Sequence, residues 1–182
     1  KHVHLPFQSG SDRVLSLMNR RYTAEKYLSL VKYAKEKIPD VSFTSDVIVG
    51  FPTETNEDFL DTLSVIREVE FDQIFSFIYS RREGTPAAKL DFVLSEEEIH
   101  KNFDQMLEVQ NEISKKKNLK YEGKVLEVLV EGPSKTDSNT LTGRTDTSKI
   151  VNFKGDPSLI GKYVPVKIIE AHTWSLNGEV VE

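Results

Sequence analysis

Cysteine is absent from all 182 residues. For this chain by itself, that excludes disulfides, thiolate zinc sites, iron–sulfur ligation and a cysteine nucleophile. Long apolar runs are missing too, and nothing approaches the roughly 18 residues of a membrane span. No apolar stretch of about 7–15 residues follows the charged start, as a signal peptide needs. Bulk positive charge is also lacking. The net charge is −5, from 24 Lys and Arg against 29 Asp and Glu. Residues 1–120 hold 17 basic and 20 acidic side chains, and the remainder holds 7 and 9. Neither part is a basic domain that binds nucleic acid by overall charge, so any such contact must come from local clusters. Internal repeats and low-complexity tracts are not seen. The hydrophobic share of 38% suffices for a core but lies below the usual value. The length suits one large domain or two modest ones. The chain opens inside a strand-like segment without an initiator Met, so it is expected to be a piece of a longer protein.

What is present first alternates strand with helix. Val3-His4-Leu5-Pro6-Phe7 predicts a short strand, Gln8 to Ser11 a turn, and Asp12 to Asn19 a short helix. Thr23 predicts the N-cap of a helix to Lys37, with Tyr27, Val31, Ala34 and Ile38 inward; Pro39 ends it. Val41 to Val49 is rich in β-branched residues, stops at Gly50, and reads as a strand covered on both faces at its end. Thr55 and Asp58 form a capping-box pattern before Phe59, Leu63, Ile66 and Val69, the buried stripe of a helix. Phe71 to Tyr79 predicts a third strand, with a loop from Ser80 to Pro86. Ser95 with Glu98 opens a long helix to about Lys117, and Lys115 to Lys117 complement its dipole. This rhythm predicts a parallel α/β layer. After Tyr121 it changes to five short strands, at 124–130, 140–145, 149–153, 162–171 and 173–181, with turns between them. They predict a small all-β barrel similar to an OB-fold. The division is expected between residues 1–120 and 121–182.

Several strings carry a family resemblance. His4-Leu5-Pro6-Phe7-Gln8-Ser9-Gly10-Ser11-Asp12, Met18-Asn19-Arg20-Arg21-Tyr22-Thr23, and Asp46 to Thr55 resemble tRNA methylthiotransferases of the radical S-adenosylmethionine (SAM) superfamily. Thr53 stands where that family usually has Gly. Phe77 to Ser80 with Gly84 to Ala88 is a further match. The strings Val130 to Lys135, Gly143-Arg144-Thr145, Val151-Asn152-Phe153 and Ala171 to Leu176 resemble the TRAM domain of the members that make 2-methylthio-isopentenyladenosine. Gln8-Ser9-Gly10 is unlike the Gln-His pair of the ribosomal-protein methylthiotransferases. The resemblance implies the C-terminal portion of a radical-SAM partial (β/α) barrel followed by a small OB-like TRAM barrel. It implies a cytoplasmic parent that adds a methylthio group to carbon 2 of isopentenyladenosine 37. SAM and two 4Fe-4S clusters would be its cofactors, and the tRNA anticodon stem-loop its partner, with no membrane. The CxxxCxxC motif would lie upstream, so this chain alone is expected to be inactive, with no catalytic residue and no metal ligand. An unpaired barrel edge predicts dimerisation. Two alternatives stand beside this reading: a standalone RNA-binding module with a degenerate α/β half, and a methylthiotransferase for threonylcarbamoyl-adenosine.

Candidate site residues follow, each with a plainer account. Gln8 and Ser9 at a strand end can hydrogen-bond SAM, or Ser9 or Ser11 simply caps a helix. Ile48, Val49 and Gly50 resemble the adenine-contacting element, with Gly50 letting a ligand approach the backbone; a buried strand ending in a turn explains Val47 and Val49 equally. Glu54 can hold a ribose or methionine amine, or favour the next helix N-terminus. Asp46 and Glu54 are not expected to act as a general acid/base pair. His2 and His4 share a strand face but lack a third metal ligand. Arg20, Arg21 and Arg81 suit RNA, with Arg81 the leading one; surface charge is the alternative. In the barrel, Arg144, Lys149, Asn152 and Phe153 combine charge, amide and aromatic face. Phe153 fits the core as well, and Trp174 is expected in core or interdomain packing.

Overall fold

A computed structural model describes residues 1–134, 137 and 140–181. Lys135, the last residue of the Val130 to Lys135 string, lies outside the described residues.

Hydroxyl caps begin the helices where the sequence places them. Ser11 Oγ accepts from the Val14 amide and starts α1 (Asp12–Leu17); Thr23 does the same for Lys26 and starts α2 (Ala24–Lys37). At α3 (Asn56–Val69) the Thr55/Asp58 box closes in both directions, so Asp serves in place of the usual Glu. Ser95 and Glu98 pair likewise before α4 (Glu96–Leu119).

The strands are β1 (His2–His4), β2 (Ser42–Val49) and β3 (Gln73–Ile78), in sheet order β1-β2-β3. β2 and β3 are parallel, with Asp46 beside Phe75 and Ile48 beside Phe77. β1 is shorter than the sequence predicts, because Pro6 has no N–H to donate to a ladder. The chain nonetheless stays along β2, through Leu5 N–H to Thr44 O and an isolated bridge from Gln8 to Val47.

Contacts divide the chain into two units. One comprises Val3–Pro39 and Phe43–Ile113. Its core holds Phe7, Tyr27, Phe43, Val47, Phe59, Leu63, Ile66 and Phe71, with Phe7 and Phe71 stacked at 5.3 Å between centroids. Gly10 is dictated by packing: a Cβ there would lie 2.4 Å from the Asp61 carbonyl oxygen of α3.

The second unit comprises Lys1–His2, Asp40–Ser42 and Ser114–Glu182. Its strands are β4 (Val125–Pro133), β5 (Thr140–Arg144), β6 (Ile150–Lys154), β7 (Tyr163–Ala171) and β8 (Leu176–Val180). They close into a barrel in the order β4-β5-β6-β8-β7, with only β6 and β8 parallel. Val128, Val130, Leu141, Val151, Phe153, Val166, Ile168 and Leu176 fill it. Among the described residues, no helix is long and apolar enough to cross a membrane.

Candidate functional site: a cleft at the strand ends and a closed barrel

The α/β unit holds a cleft of about 620 Å³ at the carboxyl ends of β2 and β3, the end at which open parallel sheets bind ligands. Gln8, Asp46, Ile48, Phe51, Phe77 and Tyr79 line it. Asn19, Arg20, Arg82 and Thr85 to Ala87 add to the wall. The volume suits a nucleoside-sized ligand. Gln8 sits at φ 65 in a three-residue turn closed by the Ser9 N–H on Phe7 O at 2.7 Å. That is a costly backbone for a non-glycine residue, held by Gln8 N–H to Asp46 O and Ile48 N–H to Gln8 O. Among the described residues the Tyr79 hydroxyl is buried without a hydrogen-bond partner, and the Tyr79 ring meets Phe51 edge-on at 5.2 Å. The open face of the sheet continues with His4, whose Nδ1 lies 2.9 Å from Thr44 Oγ1 and whose Nε2 lies 3.6 Å from Asp46.

Of the expected SAM residues, the cleft brings together Gln8 and Ile48. Ser9 is not in the lining: its hydroxyl lies 3.4 Å from Thr62 Oγ1 and accepts from the Ser11 N–H. Val49 is fully buried. Gly50 needs its lack of a side chain for a different reason from the one expected. Its φ is +72, and a Cβ would meet Ile99 of α4 at 2.6 Å, so packing occupies the space. Glu54 is 2% exposed, and its Oε2 accepts from the Gly50 N–H at 2.6 Å. Burial pushes its pKa up to about 7, against the lowering effect of that hydrogen bond. Asp58 goes the other way. Burial alone would raise it, but Arg13, Ser11 and Thr55 overcome this and hold it at about 2.

The arginines differ in placement. Arg81 is used on its own loop, donating to Ala88 O at 2.9 Å and Leu90 O at 3.1 Å while lying over the Phe92 ring. Its neighbour Arg82 and the more distant Arg20 line the cleft, whereas Arg21 is exposed outside the lining. Alternation along β3 puts Phe75 and Phe77 on the face of Asp46 and Ile48, a period-two signal that the sequence itself carries.

In the barrel, Phe153 is 2% exposed and belongs to the core, so its ring is closed to a ligand. Lys149 is also buried, with its ammonium 5.9 Å from the Tyr121 ring centroid. Arg144 is exposed and pairs with Glu131 at 3.2 Å. Asn152 alternates outward between Val151 and Phe153. Trp174, expected in packing, is 52% exposed. Strand parity turns Phe153 inward, while Trp174 falls in the loop between β7 and β8.

Known proteins resemble the chain in two segments. Residues 1–66 match the radical SAM superfamily and residues 119–181 match the TRAM domain. Over 182 residues it is 56% identical to the tRNA-2-methylthio-N(6)-dimethylallyladenosine synthase of Alkaliphilus oremlandii, covering all of this chain and 39% of that one. The likeness runs along the whole of this chain. The enzyme of the same name from Acetivibrio thermocellus is 55% identical over 181 residues, with 100% and 38% covered. The chain thus spans about two fifths of the length of these methylthio-adenosine synthases. Among solved structures, coproporphyrinogen III oxidase from Escherichia coli, a radical SAM enzyme, is similar at TM-score 0.52 and 23% identity, covering 62% of this chain and 26% of that one. This is a likeness of fold.

Proposed function

We propose that the chain supplies one wall of a SAM-binding cleft and an RNA-gripping barrel, divided near residues 120 and 121. The protein would add a methylthio group to carbon 2 of isopentenyladenosine 37 in tRNA, in the cytoplasm. The observation that carries this reading is the 56% identity along all 182 residues, spanning cleft and barrel together. The cleft fits the adenosine part of SAM: Ile48, Phe51 and Tyr79 offer apolar surface and Gln8 an amide. SAM would supply a methyl group and, from a second molecule, a deoxyadenosyl radical. Glu54 and Ser9 act at one remove, Glu54 by anchoring the Gly50 amide and Ser9 by fixing the turn against α3. With no cysteine present, this chain has no fitting ligand for either 4Fe-4S cluster. Among the described residues no group of three His, Asp or Glu side chains is placed to hold a metal either.

For the anticodon stem-loop, Arg20 and Arg82 at the cleft wall and Arg144 on the barrel are the phosphate contacts, with Arg21 beside them. Arg81 serves as a brace for the loop that carries Arg82. The exposed Phe75 and Phe77 predict self-association of this chain through the open sheet face.

Two titrations test the reading. Calorimetry with SAM is expected to show binding that Ile48→Asp abolishes; equal heats from both proteins would remove the cleft assignment. With an anticodon stem-loop, Arg20→Ala/Arg82→Ala is expected to lower the salt slope of binding by about 2. An unchanged slope would place the RNA elsewhere.

A further inference from the structure

The barrel carries a row of neutral hydrogen-bonding side chains across its outer face. Thr142 on β5 is the Cα partner of Asn152 on β6, and Asn152 is the partner of Asn177 on β8. The inward neighbours Leu141, Val151, Phe153 and Leu176 are core, so these three residues alternate outward. Asn177 Nδ2 lies 3.0 Å from His172 Nε2, which extends the row into the turn between β7 and β8. Trp174 stands in that turn. The turn is held rigidly: His172 N–H donates to Ser175 O at 2.8 Å, and Asn118 Nδ2 donates to both His172 O and Thr173 O, at 2.8 and 3.1 Å. An exposed indole on a fixed loop is thus pre-organised, whereas a surface tryptophan on a mobile loop would lose order on binding. Cations bracket the row. Arg144 lies two residues beyond Thr142 on β5, and Lys154 two beyond Asn152 on β6.

We propose that this face binds unpaired RNA bases, with Trp174 as the stacking platform and Thr142, Asn152 and Asn177 reading base edges. The proposal rests on the RNA-binding reading of the barrel and locates the contact within it. The chemistry selects the ligand. Side-chain amides carry both a donor and an acceptor and match base edges, while phosphate alone would call for cations along the row itself. Glu170, the Cα partner of Asn177, lies 3.2 Å from His172 Nε2 and places a carboxylate at the Trp174 end, unfavourable to backbone phosphate there. Bases on the row and phosphates toward Arg144 and Lys154 satisfy both groups. In OB-type barrels generally, the second and third strands with the loop between the fourth and fifth form the oligonucleotide surface. β5, β6 and the Trp174 turn occupy those places.

Trp174 is the single tryptophan in the chain, so its own fluorescence reports stacking. The full 182-residue chain would be titrated with a fluorescein-labelled single-stranded RNA 12-mer, and anisotropy followed. Parallel titrations with unlabelled 12-mer and with the same sequence as a duplex would follow the tryptophan emission. Saturable quenching by the single strand, and weaker quenching by the duplex, is expected. Trp174→Ala should weaken single-strand binding about 5- to 150-fold, Trp174→Phe should restore most of it, and neither should alter the melting temperature. Asn152→Ala/Asn177→Ala should weaken binding with quenching retained at saturation. If wild type and Trp174→Ala bind equally and emission is unchanged, the RNA lies on another face and this inference fails while the RNA reading stands. That outcome would also direct attention to a protein partner for Trp174. If no variant binds any RNA, both readings fail.

Discussion

In the α/β unit one face of the sheet is packed by helices, while the other displays His4, Asp46, Ile48, Phe75 and Phe77, the last 53% exposed. In the barrel every strand has two partners, the core side chains Val128, Val151, Phe153 and Leu176 turn inward, and the outer face is polar along the Thr142–Asn152–Asn177 row. Both use the same period-two alternation. Closure makes the difference. A closed sheet has one interior that its own side chains fill, whereas the three-stranded sheet keeps two edges and one open face. Inward-facing apolar residues therefore mean stability in both units, whereas Phe75 and Phe77 on the open sheet face of the α/β unit offer contact surface.

The largest expected effect tests that contrast directly. Leu176→Ala should cost about 2–5 kcal/mol of barrel stability, whereas Phe77→Ala should stay within about 0.5 kcal/mol and reduce self-association. Denaturant melts and light scattering check it, and equal costs at the two positions would erase the distinction.

A second test uses two carboxylates of the α/β unit that lie four residues apart in sequence. Glu54, raised by burial to about 7, binds a proton in the folded state that the unfolded chain releases above about 4.5. Its contribution to stability is full below that value and is lost as pH rises through 7, on the order of 3 kcal/mol. Asp58, held at about 2 by Arg13, Ser11 and Thr55 against its burial, contributes above about 3.8 and loses that contribution as pH falls through 2. Glu54→Gln should flatten the stability profile between pH 4.5 and 7, and Asp58→Asn should flatten only its acid limb. A profile between pH 4.5 and 7 that Glu54→Gln leaves unchanged would contradict the burial argument.

The smallest effect concerns Thr53, a β-branched residue at φ 71, where the left-handed region is unfavourable to any side chain. Arg13 holds it in place, donating to Thr53 O at 2.7 Å and Oγ1 at 3.1 Å. Thr53→Gly relieves the backbone but gives up one hydrogen bond, so a net gain of about 0.5–1 kcal/mol is expected. A lower melting temperature for this variant would show that the Arg13 contact dominates.

Legibility followed the range of the interaction. Helix starts at Thr23, Thr55 and Ser95 were readable because a cap and its amide lie within three residues. The five barrel strands were readable from alternation and turns, to within a few residues at each end. The SAM-side assignments were less so. Ser9 meets Thr62, and Gly50 meets Ile99, across about fifty residues each, and no local pattern announces either contact. Arg81 and Arg82 are adjacent in sequence, yet one braces the loop and the other lines the cleft.

The sequence by itself therefore determined the alternation of elements, the helix caps, the switch to a small β-barrel after Tyr121, and the family strings. These depend on residues within one turn or one strand of each other. Only the tertiary structure decided which side chains are available to a ligand: that Phe153 fills the barrel while Trp174 stands outside it, and that Glu54 is sealed against the Gly50 amide. Exposure depends on what distant segments cover, and hydrogen bonds made across the fold use up groups that look free in one dimension.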